Sequence, residues 1–278
     1  MTEANQSQLG KGTEYDQAYS PDLLFPLARS HNRASLNLGV TLPFKGEDLW
    51  TCYELSWLNS SGKPQVGIAY FRFPANSPYM IESKSFKLYL NAINHLSFES
   101  KQMLQALLAG DLSEASGAEV EVLVSAVNDA QNTVNTTDQP YVCIDDLEVS
   151  EFEYLPNPEL LSLDDSSSEE VSEFLCSHLL RSNCPVTGQP DWGTVYIQYS
   201  GKKINYESLL RYIVSFRQCQ DFHEHCVERI FTDLLAQCQC ESLSVYARYT
   251  RRGGLDINPY RATSDLPSKA ENIRTARQ

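Results

Sequence analysis

The feature that most constrains the fold is an internal repeat of secondary-structure patterns. Residues 48–59 and 65–73 are rich in aromatic and β-branched side chains and flank a Gly/Pro/Ser turn, which predicts a β-hairpin. Apolar residues then recur at helical spacing over 83–93 and again from 97 to about 108, and residues 117–127 alternate as a strand does. The first half therefore reads ββααβ.

The second half shows the same order of patterns. Strand patterns over 171–181 and 193–199 precede helical patterns over 205–216 and 222–237, and residues 241–250 alternate as a strand. Repetition of a whole supersecondary unit indicates duplication, and ligand sites often lie between two such copies. We predict an α+β fold in which helices pack on one face of an antiparallel sheet.

The repeat also predicts the boundaries of the modules. We place the first module at residues 46–128 and the second at 171–278, joined by an exposed connection at 129–170. The connection is polar and acidic around a strand-like piece at 140–144. Residues 1–45 contain several prolines, and their apolar residues show no sustained helix or strand periodicity, so we expect an extended N-terminal arm.

The helix boundaries are predicted from capping residues. Ser97 is the predicted cap of the second helix of the first module, and Gly110 marks its predicted end. Glu82 opens the first helix of that module, and we take Glu207 as its counterpart in the second copy.

Charge and composition exclude several classes of protein. Hydrophobic residues make up 42% of the chain, which is enough for a core, but no apolar run approaches the roughly 20 residues of a membrane span. The net charge of −14 argues against broad electrostatic binding of nucleic acid. The first residues lack the order of an export signal, so we expect a cytoplasmic protein whose eight cysteines are reduced thiols.

A candidate nucleophile lies in a turn-rich stretch at residues 182–192. Cys184 stands between Asn183 and Pro185, and Asp191 follows seven residues later, just before a strand pattern. A thiol and a carboxylate in this arrangement can supply a soft nucleophile and a proton donor. Loops with a cysteine and an aspartate are common, so the spacing alone does not establish a site.

Two further clusters are suited to anions. Lys84 and Lys87 are three residues apart beside a predicted helix N-terminus, where free N–H groups favour negative charge. Arg252 precedes Gly253, so a guanidinium group stands beside backbone that a phosphate can approach closely. A solvated lysine face and a charged turn explain the same residues without a ligand.

His223 and Glu224 stand at the start of a predicted helix and are suited to the polar edge of a heterocycle. An acidic residue that merely favours the helix N-terminus is the competing explanation. His225 and Cys226 follow, but their spacing matches no standard zinc pattern, so we expect no metal ion.

Together these clusters resemble the QueF family, the NADPH-dependent 7-cyano-7-deazaguanine reductases of queuosine biosynthesis, in their longer two-module form. The resemblance rests on Glu-Ser-Lys-Ser-Phe-Lys-Leu-Tyr at 82–89, on residues 182–192, on Phe-His-Glu at 222–224 and on residues 251–259. It implies tandem tunnelling-fold modules and reduction of a nitrile to a primary amine with two NADPH, in a homodimer.

The resemblance also implies roles for individual residues. Cys184 would form a covalent thioimidate with the nitrile, and Asp191 would protonate the nitrile nitrogen. The implied contacts to the 7-deazaguanine substrate come from Ile81, Glu82, Ser83, Phe222, His223 and Glu224. The implied contacts to NADPH come from Ser83, Lys84, Lys87, Arg252 and Gly253.

Two other classes of function remain open on the sequence. A zinc-dependent purine or pterin hydrolase or cyclase of the same fold would use His223, His225 and nearby cysteines as ligands. A non-catalytic binding module is the other alternative, but it gives no reason for Cys184 and Asp191 to stand together.

Overall fold

The computed structural model describes residues 18–130, 141–166 and 169–278. Parts of the predicted arm (1–17), of the predicted connection (131–140) and of its acidic run (167–168) lie outside the described residues.

The first repeat has the predicted hairpin and helix pair, with short elements added around them. The elements are β1 (Pro26–Ala28), α1 (Arg29–Arg33), β2 (Lys45–Asn59), β3 (Pro64–Pro74), β4 (Tyr79–Ile81), α2 (Ser83–Ala92), β5 (Ser97–Phe98), α3 (Lys101–Ser116), β6 (Glu121–Ser125) and α4 (Val127–Ala130).

The second repeat follows the same order. After β7 (Val142–Cys143) in the connection, its elements are β8 (Glu170–Ser177), β9 (Arg181–Asn183), β10 (Pro190–Lys202), α5 (Tyr206–Ser215), α6 (His223–Cys238), β11 (Ser242–Tyr249) and β12 (Leu255–Ala262). The predicted strand at 171–181 is thus divided, because its last residue belongs to the separate strand β9.

One mainly antiparallel sheet runs through both repeats in the order β6-β3-β2-β12-β11-β10-β8-β7. Strand β12 was not predicted. It pairs with β2 from Leu255 opposite Cys52 to Ala262 opposite Lys45, and so joins the two copies. Pro259 lies within it, and a proline in a sequence argues against a central strand.

The four long helices lie on one face of this sheet, as predicted. Helices α2 and α3 cover the first repeat in one apolar cluster, and α5 and α6 cover the second in another. The opposite face carries Tyr196, Tyr246 and Tyr260, against which Ala270 and Ile273 of the C-terminal tail pack. None of the described helices combines the length and the hydropathy needed to cross a membrane.

The boundaries predicted for α3 were wrong. Ser100 caps this helix by accepting a hydrogen bond from the Met103 N–H at 3.3 Å, whereas Ser97 belongs to β5, which pairs with β2. Gly110 lies inside the helix, which ends at Gly117 with φ of +72°. Packing of one leucine face against the sheet offsets the roughly 0.5–1 kcal/mol that an internal glycine costs.

The prediction that Glu207 is the counterpart of Glu82 was also wrong. Glu82 is the N-cap of α2 and Asn205 is the N-cap of α5. The hydroxyl groups of Ser85 and Ser208, three residues on, each donate to the carbonyl of their own cap at 2.7 Å. Glu207 therefore matches Lys84, since each is the second residue of its helix.

The described part of the N-terminal arm is packed rather than extended. Strand β1 pairs with β4, and two buried arginines of α1 reach into the structure. Arg29 Nη2 lies 2.6 Å from Asp48 Oδ2, and Arg33 Nη2 lies 2.6 Å from Glu228 Oε1. Arg261 of β12 joins Asp48 and Glu228, each at 2.8 Å. These buried ion pairs tie the arm, the first repeat and α6 together.

Candidate active site

A tight hairpin brings Cys184 and Asp191 to the same face. Strands β9 and β10 pair with Ser182 opposite Asp191, and the Cys184 N–H donates to the Gln189 carbonyl at 2.9 Å. Cys184 is therefore directly opposite Gln189 and diagonal to Asp191, an arrangement in which two side chains share a face about 7–8 Å apart between Cα atoms. Gly188, with φ of +67°, makes the turn.

The surroundings of Cys184 favour its thiolate. Burial raises the pKa of the thiol, but hydrogen bonds from the Thr187 side chain and from the Thr187 and Val186 N–H groups, with the charge of Arg252, outweigh that effect. The pKa of Cys184 is therefore below its ordinary value. A larger thiolate fraction makes a cysteine a better nucleophile near neutral pH.

Asp191 is held between two cationic or potentially cationic side chains. Its Oδ2 lies 3.4 Å from His223 Nε2, and its Oδ1 lies 3.4 Å from Arg252 Nη1. Burial raises the pKa of Asp191, but the contact with His223 and the charges of Arg252 and Lys87 lower it below the usual value. Asp191 is therefore a carboxylate at neutral pH in the free protein.

His223 is fixed in orientation at the start of α6. Its ring stacks on Tyr249 of β11, with ring centroids 3.7 Å apart and planes inclined by 5°. Its Nδ1 lies 3.3 Å from the Ile257 carbonyl oxygen of β12. The imidazole can therefore turn little, and its Nε2 is directed towards Asp191.

Glu224 is buried next to His223 and has an unusual acidity. Burial, with the negative charge of Asp48, raises its pKa from the ordinary 4.5 to about 7. A carboxyl group with such a pKa changes its charge easily at neutral pH, and perturbed groups of this kind concentrate at functional sites.

Most of the predicted site residues line one pocket between the two repeats. The predicted residues on its wall are Ile81, Ser83, Cys184, Asp191, Phe222, His223, Glu224 and Arg252. Glu82 is not among the residues that line this pocket. Its two carboxylate oxygens accept hydrogen bonds from the Lys84 and Ser85 N–H groups at 2.7 and 2.8 Å. The same residue therefore caps α2 at the rim of the pocket.

A second pocket beside the first is lined by the remaining predicted residues, Lys84, Lys87 and Gly253. Burial and the charge of Arg252 lower the pKa of Lys87, while Glu82, Asp191 and Cys184 raise it. Lys87 is therefore close enough to the hairpin for the charges of Asp191 and Cys184 to act on its ammonium group.

A strand irregularity shapes this second pocket. The register of β2 with β3 shifts between Cys52 and Leu55, and the Gly254 carbonyl accepts a hydrogen bond from the Tyr53 N–H at 2.8 Å. Gly254 has φ of +68°, and a Cβ there would lie 2.2 Å from the Glu54 carboxyl carbon. The positive φ therefore favours glycine where the β11–β12 turn rests on β2, and a larger residue there would also have to displace the Glu54 side chain.

His225 and Cys226 do not face the pocket as a ligand pair. The two ring nitrogens of His225 contact Asp221 and the Ser35 hydroxyl. Cys226 is fully buried, and its thiol interacts with that of Cys219.

The sequence provided no signal for several residues that shape the site. Tyr249, which supports His223, is an ordinary aromatic residue in a strand pattern. Trp50, Met80 and Ile257 also line the first pocket, and they come from three separate segments. Only tertiary structure brings them together, so spacing along the chain could not identify them.

Comparisons with known proteins agree on one family. A family model described as "Nitrile reductase, 7-cyano-7-deazaguanine-reductase N-term" matches residues 15–124. A second family model, described as "QueF-like protein", matches residues 190–268.

Two curated relatives match nearly the whole chain. A protein of Chromobacterium violaceum is 54% identical over 98% of this chain and 96% of its own length. A protein of Saccharophagus degradans is 55% identical over 91% of this chain and 93% of its own length. Both are named NADPH-dependent 7-cyano-7-deazaguanine reductase.

Among solved structures, the archaeosine synthase QueF-Like in the apo form matches with a TM-score of 0.31 and 17% identity. The match covers 36% of this chain and 99% of that one.

Proposed function

The chain belongs to the QueF family of nitrile reductases, and from this we infer that it is an NADPH-dependent 7-cyano-7-deazaguanine reductase. It reduces the nitrile of 7-cyano-7-deazaguanine to an aminomethyl group in queuosine biosynthesis. NADPH is its reductant, and the activity is that of an oxidoreductase.

The observation that carries the residue assignments is the meeting of the hairpin with the start of α6. Cys184, Asp191, His223 and Glu224 line a single pocket, although they come from two separate segments of the second repeat. A non-catalytic binding module would need neither a thiol of lowered pKa nor a carboxylate beside it.

Cys184 is the proposed nucleophile. A nitrile carbon is a weak electrophile, and addition of the sulfur to it gives a thioimidate that accepts hydride more readily. The hydrogen bonds around Cys184 that lower the pKa of its thiol stabilise the negative charge on sulfur as the thiol proton leaves.

Asp191 is the proposed proton carrier. Because its pKa is lowered, it begins as a carboxylate and takes the proton of the Cys184 thiol as the S–C bond forms. It then gives that proton to the nitrile nitrogen, so the S–H is added across the C≡N bond with no net gain or loss of protons. This refines the simple general-acid role that the family resemblance implies.

Glu224 is the proposed anchor for the 7-deazaguanine ring. The N1–H and the exocyclic amino group of a guanine-like ring form a pair of donors that a carboxylate accepts through both oxygens. Those two hydrogen bonds would also stabilise the ionised form that burial disfavours. Ile81, Ser83, Phe222 and His223 complete the wall, and Glu82 retains a second lone pair on each oxygen for a further donor.

The residues of the second pocket fit NADPH. Lys84 and Lys87 lie on the wall of this pocket in an otherwise acidic protein. Arg252 Nη1 is paired with Asp191 Oδ1 at 3.4 Å but makes no hydrogen bond of good geometry among the described residues. Ser83 and the side-chain-free Gly253 would lie against the same ligand. When bound, NADPH supplies the two hydrides that the conversion of nitrile to amine requires.

We also propose the coarser organisation of the protein. Residues 46–128 and 171–278 are the two tunnelling-fold modules, with 1–45 and 129–170 as arm and connection. The enzyme is expected to act as a cytoplasmic homodimer on a free base, without direct contact to nucleic acid.

The reductase activity is tested by mixing the purified protein with 7-cyano-7-deazaguanine and NADPH and following the absorbance of the reduced cofactor. We expect oxidation of two NADPH for each nitrile consumed, with the aminomethyl product identified by mass. No oxidation under these conditions would contradict the assignment.

A further inference from the structure

Two cysteines and a histidine meet at the edge of the sheet, away from the active-site pocket. Cys143 of β7 and Cys176 of β8 are aligned partners in a parallel pairing, and His178 follows two residues after Cys176. One ligand atom from each of the three lies within 4.8 Å of the others. Over residues 18–130, 141–166 and 169–278, this is the one group of metal-ligating side chains that comes so close.

The cluster lies on the face of the sheet opposite the helices. Cys176 packs with the tyrosines of that face, including Tyr196, whereas Val195 belongs to the core beneath α5 and α6. Asp191 is four residues before Val195 on β10, and residues an even number apart in a strand share a face. The cluster and Asp191 are therefore on opposite faces.

The chemistry of the three side chains suits a soft cation. Thiolate and imidazole are the usual ligands of structural zinc sites, with Zn–S distances of about 2.3 Å and Zn–N distances of about 2.0–2.1 Å. Two sulfurs of a tetrahedral site are then roughly 3.8 Å apart. The observed spacing therefore requires only small side-chain rotations.

Neighbouring groups hold the histidine as a ligand would be held. His178 Nδ1 lies 2.9 Å from Thr194 Oγ1, so the tautomer that donates from Nδ1 has a lone pair at Nε2. The Asp145 carboxylate accepts hydrogen bonds from the Ser177 hydroxyl at 2.6 Å and from the His178 N–H at 2.9 Å. Such supporting contacts orient metal ligands and raise their affinity.

We propose that Cys143, Cys176 and His178 form a binding site for Zn²⁺ or a similar soft divalent cation, with water in the fourth position. The net charge of −14 favours uptake of a cation. The metal would tie the two-residue edge strand β7 to β8 and to the turn that follows it. Metal-bound cysteines are thiolates, so binding of the cation releases the thiol protons.

The test uses the full chain, reduced and stripped with a chelator, and titrated with Co²⁺ and then with Zn²⁺. We expect one Co²⁺ per chain, an absorption band from thiolate-to-cobalt charge transfer, and displacement of the cobalt by zinc. Cys143→Ser should abolish the band and weaken Co²⁺ binding at least tenfold, and His178→Ala should weaken it similarly.

Two further variants separate a built site from adventitious binding. Thr194→Val removes only the group that orients His178, and the loss of such a contact typically costs roughly 10- to 100-fold in metal affinity. His95→Ala removes another exposed histidine and should leave Co²⁺ affinity unchanged. Nitrile reduction by Cys143→Ser at the parent rate would show that the variant is folded.

Three outcomes would overturn the proposal. The first is Co²⁺ uptake that Cys143→Ser leaves unchanged. The second is loss of uptake in Cys184→Ala, which would locate the metal at the active-site pocket instead. The third is a thiol count on unreduced protein that shows Cys143 bridged to Cys176 as a disulfide.

Discussion

Asp191 Oδ2 lies 3.4 Å from His223 Nε2, although the two residues belong to different elements, a hairpin and a helix. The contact joins the proposed proton carrier to a ring that Tyr249 and the Ile257 carbonyl hold in place. Because the ring can turn little, the position of the carboxylate next to Cys184 is also restricted. Proximity and orientation of this kind lower an activation barrier without any new bond.

Asp191→Asn should abolish proton transfer while it preserves the shape of the pocket. We expect turnover to fall by at least about 10²-fold, as is typical when a general acid–base group is lost. The dissociation constant for 7-cyano-7-deazaguanine should change only a few-fold. Steady-state kinetics and calorimetric titration measure the two effects. Asp146→Asn, at an exposed aspartate, is the matched control, and equal losses in both variants would contradict the role.

Lys84→Ala should weaken the binding of NADPH more than the binding of the nitrile. A hydrogen bond to a charged group is worth roughly 1.5–3 kcal/mol, so the KM for NADPH should rise by about tenfold or more. The KM for the nitrile should change less. Lys63→Ala, in the exposed turn between β2 and β3, should change neither. The reverse order of effects in Lys84→Ala would count against a cofactor contact.

The pKa of Glu224 predicts how stability depends on pH. Its carboxyl group has a pKa of about 7 in the folded protein, against an ordinary 4.5, so the folded state binds more protons between these values. The free energy of unfolding should therefore decrease as pH rises from 4.5 to 7, by up to about 3 kcal/mol at 1.36 kcal/mol per pKa unit. In Glu224→Gln, denaturant titrations should show no such decrease in the free energy of unfolding. A variant whose pH profile parallels the parent's would refute the account.

The buried ion pairs of Glu228 predict that removal of its charge lowers the stability of the fold. Glu228 accepts hydrogen bonds from Arg33 and Arg261, and removing one partner of a buried pair costs about 3–5 kcal/mol. Glu228→Gln should lower the free energy of unfolding by that amount, whereas Glu241→Gln, at an exposed position, should not.

The stability that Glu228 provides depends on pH in the opposite sense to that of Glu224. Although burial raises the pKa of Glu228, Arg261 and Arg33 lower it to about 2. The stability that the charge provides is therefore present above about pH 4.5 and is lost as pH falls towards 2. The difference between the parent protein and Glu228→Gln should shrink over that range, and a constant difference would contradict the explanation.

Local patterns predicted the repeated units of this fold well, because amphipathic helices and hairpins depend on neighbouring residues. The spacing of Cys184 and Asp191 also has a local cause, since a hairpin turn places them on one face. Strand β12 was not predicted because Pro259 argues against a central strand. The role of Tyr249 was not predicted because its partner His223 lies in another element. Arg29 and Arg33 find their carboxylates far along the chain, and such pairings have no local signal.

The proposed mechanism depends most directly on covalent addition at Cys184. The measurement is the intact mass of the protein after incubation with 7-cyano-7-deazaguanine in the absence of NADPH, followed by mapping of the modified peptide. We expect a gain of one substrate mass on the peptide that contains Cys184. We expect no gain in Cys184→Ala, which should remain folded and inactive, whereas Cys240→Ala should still form the adduct. An adduct that persists in Cys184→Ala, or turnover by that variant, would contradict the central claim.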